Sequence, residues 1–208
     1  MIARSPEAAV LDKYADLAPG YDRGEALFER LLLSGLRRRL ATRALGRVLE
    51  VAAGTGATLP YYNPGTSVTA VDLSAPMLAQ ARLSGRAGGH ARDLCLMDAQ
   101  RLAFKDGSFD TVVCTLALCT IPDPSRAVRE MARVCRPGGR LLLLEHVRSY
   151  GRWIGWVQDR LAPGHFRRFC CRVNQETRAI LESAGLQPAL VERRLFGVFA
   201  LMEASVPA

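Results

Sequence analysis

The stretch "VLEVAAGTGATLPYY", residues 48–62, decides the fold, because aliphatic residues give way at once to alanines, glycines and threonines. Its first residues predict a short buried strand. Gly54 and Gly56 then permit backbone angles and close approaches that a side chain would prevent. Residues 57–62 predict the start of a helix, whose free N–H groups favour a phosphate or a carboxylate. We therefore expect a ligand with a negative group close to this main chain.

The rest of the chain continues the alternation of strand and helix, and its 208 residues have the length of one domain. Further strands are predicted at 67–73, 93–98, 109–118, 139–147, 189–194 and 198–204. Helices are predicted at 25–43, 75–83 with Ser74 as N-cap, 123–135 and 174–186. Apolar strands separated by amphipathic helices indicate an α/β fold with a doubly wound, mostly parallel sheet. The last two strands are expected to pair antiparallel at one edge.

The charge and the cysteines limit the partners and the location. A formal net charge of +8 attracts nucleic acid, small anions or an anionic membrane surface, but no nucleic-acid recognition motif is present, so we predict no nucleic-acid partner. Residues 1–10 do not resemble a signal peptide and no apolar run could span a bilayer. We expect reduced thiols in a cytoplasmic protein, with peripheral contact to the inner membrane face left open.

The cysteine and histidine spacing is not that of a zinc site. The six cysteines form no C-x-x-C motif, and His90, His146 and His165 are scattered along the chain. The sequence therefore predicts no metal.

Three nucleotide-binding patterns compete for the glycine turn: a P-loop, the dinucleotide fingerprint, and a G-x-G turn supported by acidic residues on the first two strands. No Gly-Lys-Ser/Thr follows, which excludes a P-loop. Leu59 stands where the dinucleotide fingerprint G-x-G-x-x-G has its third glycine. Glu50 precedes the turn, and Asp72 ends the second strand 22 residues later, where a carboxylate can accept hydrogen bonds from both ribose hydroxyls. The ligand is therefore expected to carry a ribose.

Four segments in order, "VLEVAAGTG", "VTAVDLS", "MDAQRLAFKDGSFDTVVCTLAL" and "MARVCRPGGRLLLLEHV", resemble the class I S-adenosylmethionine-dependent methyltransferases over residues 48–147. Ala52 departs from the glycine that many members have there. The resemblance implies S-adenosylmethionine as methyl donor and a Rossmann-like sheet of seven strands with an antiparallel last strand. It also implies one methyltransferase domain over 1–208. Its parts would be N-terminal cap helices (1–46), a cofactor-binding core (47–147), a substrate cap (148–172) and a final helix and strand pair (173–208).

Within that family, "VVCTLALCTIPD", "LLLLEHV" and "NQETRAILESAGL" are most similar to the microsomal alkyl-thiol S-methyltransferases, the methyltransferase-like seven group. Phospholipid N-methyltransferases and quinone methyltransferases are similar over the core and less so after Glu145. The resemblance implies a small apolar acceptor and leaves thiol, phospholipid and quinone open. A module that binds the cofactor without catalysis is the third alternative.

Carried over by residue, the resemblance has Gly54 and Gly56 facing the methionine moiety, Asp72 holding the ribose, and Asp98 with Ala99 lining the adenine. The remaining residues implied to contact the cofactor are Tyr14, Tyr21, Glu50, Ala52, Leu73, Met77, Thr115, Leu116 and Cys119.

For the chemistry, methyl transfer needs alignment in a dry pocket, and a thiol acceptor must also lose its proton. His146 is the candidate base and Glu145 could orient it or contact the substrate; the alternative is a structural histidine at a strand end. Trp153, Ile154, Trp156, Val157, Phe166 and Phe169 are expected to line the acceptor pocket, to rest on lipid, or to form an ordinary hydrophobic cap.

Overall fold

The computed structural model describes residues 5–88 and 91–207; His90 lies outside them. Seven strands form one sheet in the order β3-β2-β1-β4-β5-β7-β6. The strands are β1 (Arg47–Val51), β2 (Ser67–Asp72), β3 (Ala91–Leu96), β4 (Phe109–Thr115), β5 (Cys135–His146), β6 (Gln187–Arg194) and β7 (Phe199–Ser205). Strands β1 to β5 pair in parallel, whereas β7 runs antiparallel to both β5 and β6. The predicted fold class is therefore confirmed, with β6 at the edge.

Helices cover both faces of the sheet. They are α1 (Pro6–Leu17), α2 (Tyr21–Phe28), α3 (Ser34–Ala41), α4 (Ala75–Leu83), α5 (Pro124–Val134), α6 (Arg152–Phe169) and α7 (Thr177–Ser183). Successive residues of a strand point to opposite faces. Leu141 and Leu143 of β5 accordingly pack in one apolar cluster with α5 and α7, while Leu142 and Leu144 pack in another with α3. None of the described helices combines the length and the apolar character needed to cross a bilayer.

The N-terminal helical region differs from the single helix predicted over 25–43. A π-helical turn, Glu29–Leu33, separates α2 from α3. Such a turn shifts the helical stripe, because each π-turn adds a residue. Leu36 and Leu40 are therefore buried, whereas Leu27 and Leu31 are 70% and 68% exposed.

Two element ends next to the glycine turn also differ from expectation. The helix predicted from residue 57 is wrong, because only a three-residue 3-10 turn, Leu59–Tyr61, forms before Tyr62 becomes extended. Strand β4 ends at Thr115 instead of residue 118, since Leu116 adopts a left-handed conformation with φ of 54°. The carboxyl edge of the sheet is thus built from turns.

Candidate active site

A cavity open to solvent, of about 930 Å³ including the space at its mouth, lies at the carboxyl ends of β1, β2 and β4. We call it the first cavity. The predicted cofactor residues that line it are Tyr14, Tyr21, Ala52, Gly54, Asp72, Leu73, Met77, Asp98, Ala99, Thr115 and Leu116. In an open α/β sheet, ligands bind in a crevice at this edge.

The two glycines of the turn have different roles. Gly54 has a φ of 57°, and a Cβ built on it would have no atom within 4 Å, so it would project into open space at the first cavity. Gly56 has a φ of 75°, but its Cβ would lie 2.8 Å from Leu59 Cδ1. Gly54 therefore leaves the main chain accessible from the first cavity, whereas Gly56 allows the turn to pack and does not line the cavity.

Asp72 is held in position by the turns around it. Its Oδ2 accepts a 2.8 Å hydrogen bond from the backbone N of Gly54, and its Oδ1 accepts one of 2.8 Å from Ser74 N. Burial raises the pKa of this carboxyl group, opposed by those backbone bonds. Each oxygen keeps a further lone pair, so the group can accept bonds from a ribose. S-adenosylmethionine, which carries a ribose, fits this side of the first cavity.

Two residues at the first cavity that are not glycine adopt a left-handed backbone conformation. Ala52 follows β1 with a φ of 53°, and Leu116 follows β4 with a φ of 54°. Such conformations cost on the order of 1 kcal/mol and persist where the surroundings impose them, often at functional sites. Ala52 thus occupies a position that favours glycine, which is where the sequence departs from the family pattern.

Glu50 lies behind the first cavity and does not line it. Its side chain is completely buried, and the hydroxyl groups of Tyr62 and Thr58 lie next to its carboxylate. Burial raises the pKa of Glu50 to about 7, opposed by the nearby charge of Arg37. The expected direct contact of Glu50 with the cofactor therefore finds no support in this geometry.

A second cavity, of about 1510 Å³, adjoins the first. The residues that line both are Tyr14, Tyr21, Arg37, Thr55, Ala57 and Leu116. Those of the second alone include Phe28, Leu33, His146, His165, Phe169 and Cys171. Burial raises the pKa of both Tyr14 and Tyr21, so these phenols stay neutral. The shared wall is aromatic and aliphatic, with one arginine.

Arg37 is the main residue that the sequence reasoning missed. Only 8% of it is exposed, and its Nη1 donates to Thr58 Oγ1 at 2.9 Å and Thr115 Oγ1 at 2.8 Å. Its Nε pairs with Glu29 at 2.9 Å. Arg37 follows Leu33 by one helical turn, so an arginine on the buried stripe was the available signal.

The N-terminal helices are also fastened to the glycine turn. Asp22 of α2 accepts a 2.7 Å bond from Thr55 Oγ1 and forms a 2.7 Å ion pair with Arg86. These contacts bring α1 and α2 over the carboxyl edge, where Tyr14 and Tyr21 complete both cavities.

The two proposed catalytic residues point to opposite faces of the sheet. His146 lines the second cavity and its ring lies 4.4 Å from that of Phe199. Glu145 is completely buried, and its Oε1 accepts 3.1 Å bonds from the backbone N of Ala117 and of Leu118. Burial raises the pKa of Glu145 to about 8. Glu145 therefore fixes the turn after β4 and, in the described chain, neither lines a cavity nor orients His146.

Cys119 likewise does not line the first cavity. Its Sγ lies 3.2 Å from Sγ of Cys171, which is 3.9 Å from Nδ1 of His146. The hydrogen bond between the two sulfurs lowers the pKa of Cys171 to about 5, with His146 adding to it. The structure thus joins one predicted base and two thiols that the sequence had left separate.

The aromatic segment 148–172 forms α6, but its tryptophans face outward. Trp153 and Trp156 are 75% and 51% exposed, and their rings stack with centroids 5.2 Å apart. Gln158 docks the helix, donating to Val147 O at 3.0 Å and Val173 O at 2.8 Å. Neither tryptophan lines either of the two cavities, so their contact with an acceptor stays a prediction.

Comparison with known proteins agrees with this architecture. Residues 49–143 match the family described as "Methyltransferase domain". The human thiol S-methyltransferase TMT1B is 32% identical over 86% of this chain and 76% of its own length. A phosphatidylethanolamine N-methyltransferase of Cereibacter sphaeroides is 45% identical over 53% of this chain and 57% of its length.

Among solved structures, a S-adenosylmethionine-dependent methyltransferase of Thermotoga maritima aligns with a TM-score of 0.70 and 20% identity. It covers 94% of this chain, and 99% of that chain is covered. At this identity the likeness concerns the fold.

Proposed function

The chain belongs to the class I S-adenosylmethionine-dependent methyltransferases, and from that premise we propose that it methylates the sulfur of a small apolar thiol. The observation that supports this proposal most directly is that the two cavities share a wall. That wall is formed chiefly by Tyr14, Tyr21, Arg37 and Leu116. An acceptor in the second cavity lies beside the cofactor's expected place in the first. The similarity to a thiol S-methyltransferase over 86% of the chain supports this acceptor.

In the proposed reaction, S-adenosylmethionine supplies a methyl group activated on a positively charged sulfur. Asp72 binds the ribose and the turn at Gly54 admits the methionine part. Tyr14, Tyr21 and Leu116 exclude water and align the acceptor, since in-line displacement depends on geometry more than on acid–base groups. The acceptor sulfur gains the methyl group, its thiol proton leaves through the second cavity to solvent, and S-adenosylhomocysteine is the other product.

The alternative is a peripheral membrane enzyme that methylates a phospholipid amine. The observation that favours it is the exposed surface of α6, where Trp153, Trp156 and Leu161 are 75%, 51% and 62% exposed. Arg160 lies over the ring of Trp156 at 5.9 Å. Aromatic and basic side chains together suit an anionic lipid surface.

An acceptor screen tests the proposal. Release of S-adenosylhomocysteine would be measured with alkyl thiols, amines, phenols, quinols and phosphatidylethanolamine vesicles, with Asp72→Ala as the control for cofactor dependence. We expect turnover with apolar thiols in the absence of lipid. Turnover with the vesicles alone would favour the alternative, and tight cofactor binding without any turnover would indicate a binding module.

A further inference from the structure

Cys119, His146 and Cys171 converge from three separate parts of the chain. Cys119 follows β4, His146 ends β5, and Cys171 follows α6. Their potential ligand atoms, two Sγ and one imidazole nitrogen, all lie within 4.8 Å of one another. Thiolate and imidazole are the ligands that zinc prefers in proteins. The cluster therefore has the composition of a three-ligand zinc site.

Two of the three distances between ligand atoms are close to what such a site requires. In a tetrahedral zinc site, two sulfur ligands lie about 3.8 Å apart, and a sulfur and a nitrogen about 3.6 Å apart. The sulfurs of Cys119 and Cys171 lie 3.2 Å apart, and Cys171 Sγ lies 3.9 Å from His146 Nδ1. The third pair, Cys119 Sγ and a nitrogen of His146, lies within 4.8 Å. Shifts of about one ångström or less, which open the sulfur pair and bring the imidazole toward Cys119, would admit the ion.

The backbone around the cluster holds these ligands in place. Arg172 N donates a 2.9 Å hydrogen bond to the carbonyl of Cys119, which ties the two cysteine segments together. Cys170 has a left-handed φ of 53°, a conformation uncommon outside glycine, and it turns the chain so that Cys171 points inward. The ring of Phe199 packs 4.4 Å from that of His146. The three side chains are thus positioned by contacts outside the cluster.

Of the two cavities described above, only the second reaches the cluster. His146 and Cys171 line that cavity, whereas Cys119 lies behind them with 1% of its surface exposed. An ion held by all three would have protein on one side and the second cavity on the other. Three protein ligands with an open fourth position are typical of catalytic zinc.

We propose that Cys119, His146 and Cys171 bind one zinc ion whose fourth position opens into the second cavity and takes the sulfur of a thiol acceptor. The metal site stands by itself, whereas the thiol at the fourth position rests on the proposed function. As the acceptor binds, its S–H bond breaks and the proton leaves to solvent. When its sulfur then bonds to the methyl carbon, the bond from that carbon to the sulfonium breaks. The neutral thioether is a weak ligand and dissociates.

The sequence predicted no metal because the ligands lie 27 residues (119 to 146) and 25 residues (146 to 171) apart. Zinc motifs read from sequence have pairs of ligands a few residues apart on one turn. Here only the end of the sheet brings the residues together.

The first experiment measures metal binding by the full chain without reference to activity. Protein purified from zinc-supplemented cells is desalted and analysed by mass spectrometry for metals, and the metal-free protein is titrated with Co²⁺. We expect about one zinc per chain, and thiolate-to-cobalt absorption with the visible bands of tetrahedral cobalt. Cys119→Ser, Cys171→Ser and His146→Ala should each reduce the bound zinc at least tenfold. Cys95→Ser, a free cysteine on β3, is the matched control and should retain it, with folding followed by circular dichroism.

The second experiment separates the metal site from the acceptor. Adding an apolar alkyl thiol to the cobalt-loaded protein should change the visible spectrum if the fourth position is open. Zinc binding without thiol methylation would leave the metal site standing and refute the proposed acceptor. Thiol methylation by a protein that binds no zinc would overturn the metal site and leave the proposed function intact. Folded cysteine and histidine variants that bind zinc as well as the parent would also overturn it.

Discussion

The two cavities of this enzyme are built in different ways. The first is lined mainly by residues that directly follow β1, β2 and β4, together with the segment after β3. The second draws on Phe28 and Leu33 from the N-terminal helical region, on His146 at the end of β5 and on Cys171 after α6, whereas Tyr14 and Arg37 line both. One cavity is a property of the parallel sheet, and the other depends on contacts between segments far apart in the sequence. Substitutions should therefore separate cofactor binding from acceptor chemistry.

The largest effect is expected at the first cavity, from Asp72→Ala. The variant removes the acceptor of two proposed ribose hydrogen bonds, and we expect cofactor binding to weaken by about 2 to 4 kcal/mol. Isothermal titration calorimetry measures the affinity. Asp93→Ala, an exposed carboxylate on neighbouring β3, is the matched control.

Because Asp72 also accepts backbone bonds from Gly54 and Ser74, thermal unfolding must accompany this measurement. A folded Asp72→Ala variant that binds S-adenosylmethionine as tightly as the parent would remove the ribose assignment. Loss of binding by Asp93→Ala would show that the effect is not specific to the cavity.

A slightly smaller effect is expected from Glu50, which lies behind the first cavity, on the way the free energy of unfolding depends on pH. Folding raises the pKa of this carboxyl group from its ordinary 4.5 to about 7. The folded chain therefore binds more protons than the unfolded chain between these values, and the free energy of unfolding falls as the pH rises through that window. Between pH 5 and pH 8, Glu50 should contribute a loss of about 2 to 3 kcal/mol.

Urea unfolding of the parent and of Glu50→Gln at both pH values measures this contribution. The amide stays neutral, so the decrease from pH 5 to pH 8 should be smaller in the variant by that amount. Identical decreases in the two proteins would show that Glu50 does not titrate in this range, and other carboxyl groups would then account for the parent's curve.

Most of the residues that the sequence pointed to for the cofactor line the first cavity, because the signals that single them out are local. A strand, a glycine turn and Asp72 at the next strand's end meet at one edge in any parallel sheet, whatever the rest of the chain does. Arg37, by contrast, stands in a run of three arginines within the helix predicted over 25–43, and the sequence does not show the π-helical turn that precedes it. Glu145 and His146 looked like partners in sequence, yet neighbours on a strand face opposite sides. Packing across the sheet, not spacing, decides the second cavity.

The two glycines sharpen the comparison within a single turn. Gly54→Ala adds a methyl group that projects into the first cavity, so cofactor affinity should fall at least about tenfold, or about 1.4 kcal/mol. Each substitution should lower stability by about 1 kcal/mol, because both φ angles are left-handed. Gly56→Ala should leave cofactor affinity unchanged and lower stability further than Gly54→Ala does, because only its methyl group meets Leu59. Calorimetry and thermal unfolding of both variants measure the two effects. Equal changes in affinity and stability for both would mean that the turn acts as one unit.

The smallest effect is expected outside both cavities, on α6. Trp153 and Trp156 are exposed and stack on each other, so replacing both with alanine should leave cofactor affinity and turnover with an apolar thiol within about threefold, or about 0.7 kcal/mol. Flotation with anionic and neutral vesicles at low and high salt completes the test. If the surface binds lipid, the parent should float with anionic vesicles at low salt and the double variant should not. A large loss of thiol turnover without lipid would instead return the tryptophans to the acceptor site, through a closure of α6 over the second cavity.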